Sequence, residues 1–183
     1  MLKMILSVVL VAVLAVLGLA ATKPDTFQVQ RSTTIQAPPD KIFPLINDFR
    51  RWAEWSPWEA LDPAMQRTHS GAASGQGAVY AWEGNKDVGA GRMEILQTQA
   101  PARLSIKLDF IRPFEGHNTT DFSLTTAGDS ANPTTSTTTT VTWLMQGPTP
   151  FVSKLMQVFV SMDSLIGKDF EAGLAKMKAV AER

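Results

Sequence analysis

The chain has 183 residues, with 17 lysines and arginines balanced by 17 aspartates and glutamates, 44% hydrophobic residues and no cysteine. Lys3 is the only charged residue among the first 22, so the remainder carries 16 basic against 17 acidic groups and offers no basic face to a nucleic acid. The lack of cysteine removes disulfides, thiolate catalysis and cysteine-ligated metals, while the roughly 155 residues after the apolar N-terminus suffice for one well-buried core.

The opening "MLKMILSVVLVAVLAVLGLAATKPD" has no charge between Lys3 and Lys23. As a helix, Met4 to Ala21 would reach about 27 Å at about 1.5 Å per residue, close to the hydrocarbon thickness of a bilayer. A cleaved signal peptide is the competing reading, but its apolar region runs about 7 to 15 residues, and the small-residue sites after Ala20 and Ala21 are weak ones. The segment therefore reads as a retained single-pass membrane anchor with a short linker, residues 1–25, ahead of one domain over 26–183. Lys3 flanks one end and Lys23 and Arg31 the other, which leaves the side of the membrane open.

"FQVQRSTTI" (Phe27 to Ile35) alternates and is rich in β-branched residues, so it predicts a strand. "APPD" interrupts it, and "KIFPLINDF" places Ile42, Phe43, Ile46 and Phe49 on one helical face, with Pro38 or Pro39 suited to the first turn and Pro44 tightening the helix. "WAEWSPW" follows, with three of the five tryptophans in seven positions, until Pro57 and the Asp62-Pro63 pair end helical structure. Turn residues then divide the chain into six further strands: Met65 to Ser70, Gly77 to Glu83, Val88 to Gln97, Ala102 to Ile111, Phe114 to Thr126 and Thr137 to Gln146. The last is reached through "AGDSANP" and the polar run Thr134 to Ser136. After "GPTP", Leu155, Phe159, Met162, Ile166, Phe170, Leu174 and Met177 recur every three or four residues, predicting one long helix whose apolar face lies on the concave side of the sheet.

This order, with "IQAPPDKIF", "INDFRRWAEWSPWE" and "GAVYAWEGN", resembles the START-like (SRPBCC) helix-grip superfamily, and within it the bacterial polyketide cyclase/dehydrase-like branch, over about residues 27 to 183. The resemblance implies an α+β helix-grip fold: a seven-stranded curved antiparallel sheet wrapped around the long C-terminal helix, here preceded by a transmembrane helix. It also implies an apolar cavity between sheet and helix. Function is less constrained, because binders, enzymes and chaperone regulators share the scaffold.

Strand parity sorts the faces. In "RLSIKLDFI" Leu104, Ile106, Leu108 and Phe110 are apolar while Arg103, Ser105, Lys107 and Asp109 are polar, so the even face is inward. In the next strand the even face carries Phe122 and Leu124, which turns Asn118 and Thr120 inward and Glu115, His117 and Asp121 outward. The expected ligand-binding residues are Trp55, Trp58, Tyr80, Ile106, Leu108, Phe110, Asn118, Phe122, Trp143, Phe159, Met162 and Ile166.

No catalytic constellation emerges. His117 and Asp121 stand about 13 Å apart at about 3.3 Å per strand residue, too far for a hydrogen bond. Two histidines, His69 and His117, at unrelated positions make no metal-ligand set, and no cofactor is implied. "GAG" at Gly89 to Gly91 lacks the context of a dinucleotide loop and reads as a bulge. Tyr80 with Arg92 or Glu94 is the best set for general acid–base work on a carbonyl, against the alternative that Arg92 and Glu94 are surface cross-strand partners.

In the fold implied, the tryptophan segment covers one mouth of the cavity. Trp55 and Trp58 are expected as an aromatic lid and Trp52 as core, with a core plug or a bilayer-interface role as alternatives. The expected function is membrane-tethered binding of a hydrophobic small molecule or lipid. The alternatives are a cyclase- or dehydratase-like enzyme and a chaperone-regulator-like interaction module whose pocket is merely a packed core.

Overall fold

The computed structural model describes residues 1–127 and 137–183; the predicted "AGDSANP" turn beyond Ala127 and the run Thr134 to Ser136 lie outside them. An apolar helix α1 (Leu2–Ala21) leads into β1 (Thr26–Ile35), α2 (Pro39–Asn47) and two 3₁₀ turns, Phe49–Glu54 and Pro57–Ala60. Six strands follow: β2 (Gln66–Gly71), β3 (Ala78–Glu83), β4 (Ala90–Gln99), β5 (Arg103–Arg112), β6 (Gly116–Ala127) and β7 (Thr138–Pro148). They form one curved antiparallel sheet in the order β1-β7-β6-β5-β4-β3-β2. All seven predicted strands are present, with ends shifted by a few residues.

The predicted C-terminal helix is divided. α3 (Phe151–Gln157) stops before Val158, and α4 (Met162–Ala181) starts afresh with Ser161 as its N-cap, extended at ψ 152° and accepting from the Ser164 backbone N–H at 3.1 Å. The β-branched Val158 and Val160 are poor helix formers, whereas a serine cap satisfies a donor that the new helix would leave unpaired. The break swings Phe159 out of the apolar face, and it is 75% exposed.

α4 is clasped to β1 by polar contacts along its length. Arg31 bridges Asp163 and Glu171, both at 2.7 Å, Lys178 donates to the Thr34 carbonyl at 2.6 Å, and Glu182 accepts from the Gln36 backbone N–H at 2.7 Å. Beneath this clasp Phe170, Leu174 and Met177 are buried against the sheet. The Trp143 and Phe170 rings stack 4.0 Å apart and nearly parallel, at 8°.

The tryptophan segment completes α2. A helix leaves its last four carbonyls without intrahelical partners. Here Asp48 N–H serves Pro44, the Trp55 indole serves Leu45 at 2.8 Å, the Trp52 indole serves Ile46 at 3.1 Å, and Gly75 N–H serves Asn47. The two indoles therefore act as caps as well as core, which accounts for tryptophan in a stretch that cannot continue as a helix.

Candidate functional site

The inner face of the sheet is filled at one end and hollow at the other. At the filled end Ala78, Ile95, Leu104, Ile106, Phe122 and Val141 are buried under α2, the first 3₁₀ turn and α4. One or two residues further along each strand, toward the β5–β6 turn, the facing side chains line a cavity of about 580 Å³. Tyr80, Met93, Leu108 and Asn118 form one row across the sheet, each the cross-strand partner of the next. The other wall comes from Trp58, from Met156 and Gln157 of α3, and from Met162, Leu165 and Ile166 of α4.

Of the residues expected from the sequence, Trp58, Tyr80, Leu108, Phe110, Asn118, Trp143, Met162 and Ile166 face this space. The other four do not. Trp55 is fully buried, 5.4 Å from the Trp143 ring, and Ile106 and Phe122 belong to the filled end. Phe159 lies outside because of the helix break. Trp52 belongs to the buried core and only touches the cavity wall, whereas Trp55, expected in the lid, is buried core too. Two tryptophans three apart share one side of a helical turn, yet a 3₁₀ turn that ends at Trp55, with φ −139°, rotates it inward.

Tyr80 and Trp82 both line the inner face, but Arg92 and Glu94 do not join them. A register shift between Ala90 and Gly91, the predicted bulge, leaves Met93 and Ile95 inward, while Arg92 and Glu94 pair with each other outside at 2.8 Å. Gly91 is required there because a Cβ would meet the Trp82 ring at 2.3 Å. The partner of Tyr80 is instead Glu59, from the second 3₁₀ turn. The Tyr80 hydroxyl donates to Glu59 Oε1 at 2.6 Å, and Arg67 Nε donates to Oε2 at 2.7 Å. Burial, then the bond to Glu59, hold the Tyr80 phenol well above the ordinary tyrosine range. Glu59 is the polar residue that the sequence reading missed.

Elsewhere the wall is mostly apolar, interrupted by Ser56 beside Glu59, by Asn118 and Thr120 in mid-wall, by Ser153 and Gln157 of α3, and by Glu115 and His117 toward the β5–β6 turn. Gly147 makes room for Asn118, whose Oδ1 sits 1.9 Å from where a Cβ would be. Thr120 Oγ1, Trp143 Nε1 and Gln157 Nε2 are unpaired but covered by their neighbours, so they do not reach the open space. His117 stands at the mouth, hydrogen-bonded to Asp109 at 2.7 Å and not to Asp121. No group of three or more metal-ligating side chains occurs among the described residues.

A helix-grip sheet with an apolar cavity against its C-terminal helix defines the structural class. Residues 26–182 match the family described as polyketide cyclase / dehydrase and lipid transport, and the chain belongs to that family. No curated protein matches this sequence at a significant level. Solved structures with the same fold include the di-domain ARO/CYC protein BexL from the BE-7585A biosynthetic pathway, with 15% identity and a TM-score of 0.58 over 91% of this chain and 53% of that one. The Aha1 dimer of Colwellia psychrerythraea is 13% identical, with a TM-score of 0.58 over 85% of this chain and 96% of that one. A major latex-like protein of Panax ginseng is 15% identical, with a TM-score of 0.54 over 85% and 97%. At these identities the likeness is one of fold.

Proposed function

We propose that the chain binds a hydrophobic small molecule or lipid in the cavity between sheet and α4, on a domain over residues 26–183 held at a membrane by residues 1–25. The observation that carries the reading is the cavity: about 580 Å³ lined mostly by aromatic and aliphatic side chains, within the usual ligand-site range of about 300–1,000 Å³. An open space of that size argues against a merely packed interaction module. The Tyr80 hydroxyl is held in a hydrogen bond to Glu59 rather than left free to protonate a substrate carbonyl.

The membrane part rests on two features. α1 is long and apolar enough to cross a bilayer, as a signal sequence would also be. Independently, ten large apolar side chains that follow α1 in the chain are exposed among the described residues, and eight of them fall in 111–114 and 151–165, around the cavity mouth. They include Phe114, Val152, Met156 and Phe159. α3, which carries part of this rim, packs on α1 and is tied to the linker by Lys154 on Asp25 at 2.5 Å. The mouth would thus lie against the bilayer, and an apolar ligand could pass between the two without crossing water.

Two experiments test the reading: mass spectrometry of small molecules that co-purify with the full chain, and quenching of tryptophan fluorescence by the apolar probe N-phenylnaphthylamine, with empty nanodiscs as the background. Saturable quenching that Leu108→Trp abolishes, with the circular dichroism spectrum unchanged, is the expected result. Non-saturable quenching identical in that variant would overturn it.

A further inference from the structure

The inner end of the cavity constrains the chemistry of its occupant, and this inference rests on the cavity-binding reading above. Glu59 and Tyr80 both line the space, and the Glu59 side chain is only 10% exposed. Their hydrogens are spent on one another and on the backbone. The Tyr80 O–H is given to Glu59 Oε1, Arg67 Nε to Glu59 Oε2, and Arg67 Nη1 to the Met65 carbonyl at 2.6 Å. Arg67 itself is turned to the outer surface and does not line the cavity. What faces the interior is a carboxylate with spare lone pairs and a phenol oxygen that can still accept, since each carboxylate oxygen has about two acceptor positions and a phenol both donates and accepts.

We propose that this pole selects apolar ligands that end in a hydrogen-bond donor, a hydroxyl in the first instance, and rejects those that end in a carboxylate. A ligand hydroxyl can donate to Glu59 or to the Tyr80 oxygen without displacing any bond already made. A fatty-acid-type carboxylate would find acceptors opposite its own acceptors and a like charge in a desolvated setting, where such repulsion is least screened. Ser56, Asn118 and Ser153 can play either role and do not discriminate, while His117 at the mouth has its two nitrogens turned to Asp109 and Glu115. The covered donors of Trp143 and Gln157 are not available to an anion without rearrangement.

The test compares 2-naphthol, naphthalene and 2-naphthoate, which share one ring system, against the full chain in nanodiscs at neutral pH by tryptophan quenching. A hydrogen bond to a charged acceptor predicts that 2-naphthol binds about tenfold or more tightly than either relative. Glu59→Gln places an N–H₂ group in the pole, so the preference for naphthol over naphthoate should collapse to about twofold or less, chiefly through gained naphthoate binding. If that variant does not fold, the wild-type ranking still decides. Naphthoate or naphthalene binding as tightly as naphthol, or no naphthol binding by a protein that does bind N-phenylnaphthylamine, overturns the selectivity alone. Failure of N-phenylnaphthylamine itself removes the underlying cavity reading.

Discussion

Trp55 donates its indole N–H to the carbonyl of Leu45, 2.8 Å away at the end of α2, while its ring is wholly buried between Trp52, Phe122 and Trp143. One side chain thus serves as a helix cap and as the centre of an aromatic cluster. Truncating it opens a void and strands a carbonyl, so Trp55→Ala should cost about 3–5 kcal/mol. Trp55→Phe, which keeps most of the ring but not the donor, should cost about 1–3 kcal/mol. Trp58 is only half-buried at the cavity wall, and Trp58→Ala should stay within about 1–2 kcal/mol while weakening apolar-probe binding. Chemical denaturation of the full chain in micelles ranks the three, and equal costs for Trp55→Ala and Trp58→Ala would contradict this division of roles.

Tyr80 is the only tyrosine, so phenolate absorbance reports on it alone. Burial and the bond to Glu59 raise its pKa above the unfolded value of about 10. Above that pH the unfolded chain has released a proton that the folded chain keeps, so the unfolded state binds fewer protons and stability falls as pH rises. The stabilisation is complete below about pH 10 and is lost toward the folded pKa. The folded protein should show no tyrosinate at pH 10.5, a pH at which urea-unfolded protein does, and Tyr80→Phe should flatten the alkaline decline. Ionisation near pH 10 in the folded protein would disprove the Glu59–Tyr80 bond.

At the mouth, the hydrogen bond that His117 donates to Asp109 raises the pKa of His117, opposed by desolvation and helped by the charges of Asp109 and Glu115. The protonated imidazole is therefore favoured by folding. Its contribution is present below the unfolded value of about 6.5 and disappears as pH climbs through the folded one. Proton NMR of the two histidines, assigned with His117→Gln, should place the His117 midpoint above about 6.5, and Asp109→Asn should bring it down. No change in that variant would show that Asp109 does not hold the ring.

Alternation made the sheet readable: Leu104 to Phe110 and Phe122 to Leu124 reveal their inward face because every second residue is apolar. Which inward residues line a space and which fill it is not written in alternation. Ile106 and Leu108 are the same kind of residue at equivalent parity, and only the depth of Trp55 and Phe122 decides that the first is packed and the second open. The apolar period from Leu155 to Ile166 runs straight through the break at Ser161, so periodicity alone predicts one helix where the serine cap makes two. Glu59 was hidden for another reason. It sits in an irregular turn 21 residues from Tyr80, with no period to fix where it points. The facing of β4 was present in the sequence, since apolar Met93 and Ile95 oppose polar Arg92 and Glu94, and that pattern already separates Arg92 from Tyr80.

The placement of the mouth against a bilayer can be tested because the chain has no cysteine to interfere with labelling. Single cysteines at Val9, Phe114, Val152, Phe159 and Leu96 of the full chain would each carry an environment-sensitive fluorophore, in vesicles containing nitroxide-labelled lipid. Val9 reports whether α1 is embedded. Leu96, exposed on β4 and outside the two rim segments, serves as the soluble control. Blue-shifted emission and lipid quenching are expected at Val9, Phe114, Val152 and Phe159 but not at Leu96, because an aromatic side chain such as Phe159, 75% exposed, gains most by leaving water for the interface. Quenching at Val9 with none at the three rim positions would retain the tether and turn the mouth away from the membrane. Rim labels shielded from water yet unquenched by lipid, with dimers on cross-linking, would assign the rim to a second copy of the chain. No quenching at Val9 would remove the anchor itself.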